Sequence, residues 1–176
     1  MAALDFTTER LRLRPWREND VARVLAIYGD ERVWRWLGAD PQPLNDPEAA
    51  FARIKRWASL YRGACGIWAV VPLGEQSPVG TVLLLPLPDA QGSYTDAIEI
   101  GWHFSPQVWG KGYATEAAQA LLDRAWVEDI SEVHAVVYPG NDASVAVTKR
   151  LGMTDQGITD AWYGTTLRHF LVTRPQ

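Results

Sequence analysis

The chain has 176 residues, 47% of them hydrophobic and 22% charged, with a formal net charge of −4 at pH 7. That length holds one ordinary domain, 1–176, with little room for a second core, and the composition excludes a disordered chain. The acidic balance argues against a general nucleic-acid binder, and the single cysteine, Cys65, excludes an internal disulfide framework and an all-cysteine metal site.

In chain order, Glu9–Trp16 alternates charged and apolar residues with the period of a half-buried strand. Asn19 or Asp20 can cap a following helix, on which Val21, Val24, Leu25 and Tyr28 recur at helical spacing. The proline-rich stretch 40–47 predicts a loop. Asp46-Pro47-Glu48 then supplies an N-cap, a first-turn proline and an acidic first turn for a second helix. It is expected to reach about Tyr61, with Phe51, Ile54, Trp57 and Ala58 on its inner face. From Gly66 the texture turns to β, with runs at Ile67–Pro72, Pro78–Leu87 and Ala97–Phe104 separated by turn-forming clusters. An amphipathic helix is predicted from about Gly112 to Trp126, followed by a strand at Val133–Tyr138. Asn141 to Ser144 cap a short helix that Gly152 closes, and strands at about Met153–Thr159 and Leu167–Thr173 finish the chain.

The order β-α-α-β-β-β-α-β-α-β-β predicts an α/β chain of the α+β kind, a mixed sheet flanked by helices. The helical crossover from Ala97–Phe104 to Val133–Tyr138 predicts a parallel pair there. Apolar runs such as Val79–Pro86 fall short of the about 20 residues that a membrane span needs. The opening Met1–Phe6 has neither a basic nor an apolar leader region, so a cytoplasmic protein without a membrane partner is expected. Nine tryptophans are spread along the chain and are read as packing residues, with Trp34 and Trp36 the best candidates to line an acceptor pocket.

Between a predicted strand and a predicted helix lies Gln107-Val108-Trp109-Gly110-Lys111-Gly112-Tyr113-Ala114-Thr115. Such a junction offers unpaired backbone N–H groups at the positive end of a helix dipole and holds a pyrophosphate without cationic side chains. Gly110 and Gly112 put no Cβ against a phosphate and allow positive φ, and Lys111 adds a point charge. Alone, the pattern supports only an anion-binding turn. Thr115 stands where the dinucleotide fingerprint needs its third glycine, and no P-loop Gly-Lys-Ser/Thr is present.

The longer stretch Glu99–Ala117 resembles the cofactor motif of the GNAT acetyltransferases, whose core Gln/Arg-x-x-Gly-x-Gly/Ala is met at Gln107, Gly110 and Gly112. Asn141-x-x-Ser144-x-x-Val147-x-Lys149-x-x-Gly152-Met153 resembles the family's later helix motif. Thr8–Arg14 resembles the branch that acetylates ribosomal-protein N-termini, the RimJ/RimL-like branch. The resemblance implies a GNAT-like fold, acetyl-CoA as acyl donor and an amine as acceptor. It also implies that backbone amides of Val108 to Ala114, flanked by Gln107 and Thr115, hold the pyrophosphate. The pantetheine arm would pair along Trp102, His103 and Phe104, with Asn141 contacting it. Lys149 or Arg150 would meet the CoA phosphates, or else form a solvated helix face.

Direct transfer from a thioester requires a neutral amine and a sink for its proton. An α-amine with pKa near 7.7–8.0 is about a tenth neutral at pH 7, against about 0.04% for a lysine. A modest base therefore suffices for an α-amine. Glu99 is the first candidate, standing where the resembling branch carries glutamate. His103, on the same side of the strand by period 2, is the second. His134 and His169 are read as structural. Many GNAT enzymes carry a tyrosine seven residues after the asparagine as general acid; here Thr148 stands there, which leaves the acid open, with Ser144 as one option.

Three functions fit: acetylation of a protein N-terminus, of the ribosomal-protein-alanine type; acetylation of a small amine such as an amino acid, polyamine or antibiotic; or non-catalytic acyl-CoA binding. The acceptor site would draw on Trp34–Asp46 and Trp162–Thr166, and exposed aromatics and edge strands permit a homodimer.

Overall fold

The structure is a computed structural model in which residues 4–176 are described. Met1, Ala2 and Ala3, on which part of the leader reading rests, lie outside them. The elements are β1 (Phe6–Thr7), β2 (Leu11–Pro15), α1 (Val21–Tyr28), α2 (Glu31–Trp34), α3 (Pro47–Ala58), β3 (Gly66–Pro72), β4 (Gly80–Pro88) and β5 (Tyr94–Phe104). They continue with α4 (Tyr113–Val127), β6 (Glu132–Val137), α5 (Asp142–Arg150), β7 (Thr154–Thr159) and β8 (Leu167–Thr173).

Eight strands form one sheet in the order β1-β2-β3-β4-β5-β6-β8-β7. Neighbours are antiparallel except β5 and β6, which run parallel, as their α4 crossover requires. β3 is buried along its whole length because helices cover both of its faces. On one face, α4 lays Ala117, Ala118, Leu121 and Leu122 against Leu13, Val70, Val82, Leu84 and Ile100. On the other, α1 and α3 bring Val24, Ile27, Ile54 and Trp57 against Ile67 and Ala69. Burial of each large aliphatic side chain in these two cores contributes about 1.5–3 kcal/mol.

The element order matches the sequence reading apart from two additions, β1 and α2, which are too short for a periodicity to declare itself. α3 stops at Ala58 rather than near Tyr61, and its inner stripe is Ala50, Ile54 and Trp57. Phe51 and Ala58, expected inward, face solvent, and the Lys55 ammonium lies 5.2 Å from the Phe51 ring centre. The reason is geometric: positions 50, 54 and 57 form one i, i+4, i+7 stripe, and Phe51 lies off it. Among the described residues, no helix is long and apolar enough to cross a membrane.

β5 and β6 are in register at Glu99↔His134. Past that point both strands continue, β5 to Phe104 and β6 to Val137, and the site opens between them.

Candidate active site

A cavity of about 950 Å³ lies where β5 and β6 part, walled by Ile100–Phe104 on one side and Ala135–Tyr138 on the other. One end is the glycine loop, of which Val108 to Thr115 line the wall. Gly110 and Gly112 hold φ of 78° and 79°, a left-handed conformation that disfavours any side chain. The first backbone bond returning within α4 is Glu116 N–H to Gly112 O, at 3.1 Å. By helix geometry, the preceding amides therefore have no helical partner and point out of the N-terminus. The residues present fit a bound pyrophosphate.

The loop is braced from two sides. Trp109 Nε1 donates to Phe104 O (2.9 Å), and Ser105 Oγ donates to Gln107 Oε1 (2.6 Å). From the opening segment, Arg10 Nη1 donates to Lys111 O (2.9 Å) and its guanidinium sits 5.1 Å above the centre of the Tyr113 ring. Glu116, in the first turn of α4, accepts from Thr8 Oγ1 (2.6 Å), Arg10 N (2.8 Å) and Arg10 Nε (2.7 Å). Partial burial works to raise the Glu116 pKa, and these bonds from Thr8 and Arg10 outweigh it, so the net shift is downward. Within the Thr8–Arg14 signature, Thr8 and Arg10 thus fasten this segment to the loop, while Arg12 and Arg14 pair with Asp5 and Asp20.

Of the side chains assigned to the cofactor from sequence, Trp102, His103, Phe104 and Asn141 line the cavity. Gln107 does not; it is exposed and serves as the partner of Ser105. Lys149 is also exposed and outside the wall, whereas the next residue, Arg150, lines it. Asn141 Oδ1 caps α5 by accepting from Ser144 N (3.2 Å), and Ser144 also faces the cavity. Thr148 is fully buried and donates its hydroxyl proton to Val145 O (2.8 Å), so it is turned into its own helix.

The opposite end gathers Glu99, His103 and Tyr163 with Val33, Trp36, Leu37 and Leu83. Trp36 lines the wall as expected, and Trp34 does not. Glu99 is 8% exposed, and its carboxylate accepts from Tyr163 Oη. Burial pushes its pKa up to about 7, although the tyrosine bond works in the opposite direction. His103 is pushed down to about 4, first by burial and then by the nearby charge of Arg53. Its Nδ1 lies 3.1 Å from Tyr28 Oη. His134 and His169 stack at 5.1 Å against Trp162, outside the cavity wall.

The sequence reading placed Trp162–Thr166 at the acceptor site without singling out Tyr163 as a partner of Glu99, and it missed the roles of Tyr28 and the Arg10–Glu116 brace. Tyr163 takes φ of 58° beside Gly164, and its N–H bonds Pro88 O at the end of β4 (3.3 Å). The turn at Trp162-Tyr163-Gly164 is visible in the sequence, but its delivery to Glu99, 64 residues away, depends on the sheet order. Tyr138 is a further addition: its hydroxyl donates to Gly38 O and so straps the α2–α3 loop across the mouth. Among the described residues, no group of three or more His, Cys, Asp or Glu is placed to hold a metal ion.

Residues 10–154 match the family model described as an acetyltransferase (GNAT) domain. The N-acetyltransferase YoaA of Bacillus subtilis, itself uncharacterized, is 26% identical over 153 residues, 86% of this chain and 83% of YoaA. The FsC-acetyl coenzyme A-N(2)-transacetylase of Aspergillus fumigatus is 36% identical over 152 residues, 84% of this chain and 63% of that one. Ribosomal-protein-S5-alanine acetyltransferase from Vibrio fischeri superposes with a TM-score of 0.75 at 18% identity, over 97% of each chain, a likeness of fold.

Proposed function

The chain belongs to the GNAT acetyltransferase family and uses acetyl-CoA, and on that premise we propose that its acceptor is the α-amine of a peptide or protein N-terminus. The observation that carries this reading is the buried Glu99 carboxylate, held by Tyr163 with its pKa near 7, in the same cavity as the glycine loop. A base of that strength is matched to an α-amine and poorly matched to a lysine. In the proposed step the amine nitrogen bonds the thioester carbonyl carbon and the C–S bond breaks. The amine proton passes to Glu99, directly or through one water, and the CoA thiolate leaves.

Of the amides expected to hold the pyrophosphate, those of Val108, Trp109 and Lys111 already donate to Ser105 O, Pro106 O and Val108 O. Those of Gly110 and of Gly112 to Thr115 would therefore hold it, with Arg150 rather than Lys149 nearest the phosphates. Trp102 and Phe104 would flank the pantetheine arm, and Asn141 would order the start of α5 beside it. With Thr148 turned away, Ser144 is the group we assign to meet the departing thiolate. The acceptor end offers Val33, Trp36, Leu37 and Leu83, and its Arg32 is already paired with Asp30 at 2.7 Å. Among the described residues lining that end, this paired arginine is the one cation a free amino acid's carboxylate would meet; a peptide would not bring a carboxylate there. The unbroken eight-strand sheet supports reading 1–176 as one domain.

A second reading, a small-molecule amine, is favoured by the 36% identity to a transacetylase whose name specifies an N(2) position. Thiol release from acetyl-CoA, measured over N-terminal peptides, free amino acids, polyamines and aminoglycosides, separates the two. Turnover with peptides supports the first; turnover confined to small amines overturns it. Acetyl-CoA binding without turnover on any amine would support a binding protein instead.

A further inference from the structure

His103 is a half-buried titratable group on the cavity wall that the acetyl-transfer step leaves unused, and its surroundings define what it can do. Tyr28 Oη carries one proton and has two neighbours, Thr81 Oγ1 at 2.7 Å and His103 Nδ1 at 3.1 Å. The shorter contact has the length of an O–H···O bond; the longer one suits N–H···O. With the tyrosine proton taken to lie toward Thr81, Tyr28 Oη accepts from a protonated Nδ1. Thr81 is fully buried, and Trp57 packs against the Tyr28 ring with centroids 5.6 Å apart, which holds the ring in place. Loss of solvation first, and then the positive charge of the Arg53 guanidinium 5.3 Å from the centre of that ring, hold the imidazole neutral. A neutral ring with its proton on Nδ1 has a bare lone pair on Nε2.

Glu99 and His103 lie on the same face of β5, four residues and about 13 Å apart at strand spacing. Between them Gly101 adds no side chain, and a Cβ there would meet Leu83 Cδ1 at 3.1 Å. Leu83 therefore packs over Gly101 and forms the cavity wall between the two groups. This spacing suits a second donor several bonds from the reacting amine better than the amine itself.

We propose that His103, fixed as its Nδ1–H tautomer by Tyr28 and Thr81, is a specificity residue whose Nε2 accepts a hydrogen bond from a backbone N–H of a peptide acceptor. It rests on the reading that Glu99 takes the proton of a peptide α-amine. An acceptor with one amine and no second N–H leaves Nε2 unpaired, so the site selects for elongated peptides.

Two measurements test this. With three histidines in the chain, nitrogen-15 NMR of labelled protein, assigned by loss of one signal set in His103→Phe, reads the tautomer directly. The expected pattern is a protonated Nδ1 and a bare Nε2, disturbed in Tyr28→Phe; a protonated Nε2 overturns the proposal. Steady-state kinetics then compare trialanine amide with alanine methyl ester, which has an α-amine and no second N–H. His103→Phe should raise the KM of the tripeptide about tenfold relative to that of the ester, the scale of one hydrogen bond. Equal effects on both acceptors, with Glu99→Gln inactive, overturn the His103 role and leave Glu99 as the base. A raised KM for acetyl-CoA instead assigns His103 to the donor site and overturns the proposal. Loss of kcat on both acceptors in His103→Phe, with Glu99→Gln active, overturns both readings, as does wild-type turnover of the ester without the tripeptide.

Discussion

A carboxylate buried to 8% exposure with one hydrogen-bond donor is held between two demands. Burial favours its protonated form, and the Tyr163 hydroxyl favours the charged one. The balance near pH 7 leaves a group that is half ionised under ordinary conditions and able to accept a proton from an α-amine. Glu99→Gln should lower kcat by about 10²-fold or more with little change in the Kd of acetyl-CoA, checked by thiol release and by calorimetry. Unchanged turnover would remove Glu99 from the chemistry. Tyr163→Phe makes a sharper test, because it deletes only the donor. The acid limb of kcat/KM should then move to higher pH by about one unit, the scale of one hydrogen bond to a charged group. A limb that stays in place would reduce Tyr163 to a packing residue.

At the scale of elements, the glycine loop takes its shape from its neighbours. Gly110 and Gly112 permit the turn, while Arg10 and Glu116 hold it, through Lys111 O and the first turn of α4. Arg10 is about half exposed, so the ion pair itself contributes little to global stability. The consequence is local. Arg10→Ala and Glu116→Ala should each raise the KM of acetyl-CoA several-fold while kcat at saturation falls less than twofold, since the amides must then be ordered by the ligand. Gly112→Val should abolish acetyl-CoA binding outright, because valine does not tolerate φ near 79°. Glu99, His103 and Asn141, picked from strand period and family resemblance, fall on the wall of one cavity, and the long periodic segments and the loop itself were legible in the sequence. β1 and α2 were not, having two and four residues. Nor was the pairing of Thr8 with Glu116, 108 residues apart, or of Tyr163 with Glu99. Such contacts come from the order of strands in the sheet, which no local spacing encodes. The same reasoning explains Lys149 and Arg150: one residue on a helix is a rotation of about 100°, and sequence could not say which of the two faced the cavity.

For the molecule as a whole, two titratable groups on β5, Glu99 and His103, tie stability to pH in opposite senses. The Glu99 pKa rises from 4.5 to about 7 on folding, so the folded chain binds that proton more tightly than the unfolded one. Its contribution is fully present below pH 4.5 and is lost as pH rises through 7, a cost of roughly 3 kcal/mol at pH 8. The His103 pKa falls from 6.5 to about 4, so its contribution is present above pH 6.5 and is lost as pH falls toward 4. Between about pH 6.5 and 4.5 the two slopes oppose each other, and each single variant should expose the partner's slope. Glu99→Gln should raise Tm on the order of 5 °C at pH 8, and the gain should vanish by pH 4.5. His103→Phe should differ from wild type in the opposite direction, its Tm rising relative to wild type as pH falls from 6.5 to 4. Differential scanning calorimetry from pH 4 to 8 reads both curves. A constant offset between Glu99→Gln and wild type would mean that Glu99 has the same pKa folded and unfolded. In that case the match between this carboxylate and an α-amine, on which the choice of acceptor rests, would have no physical basis.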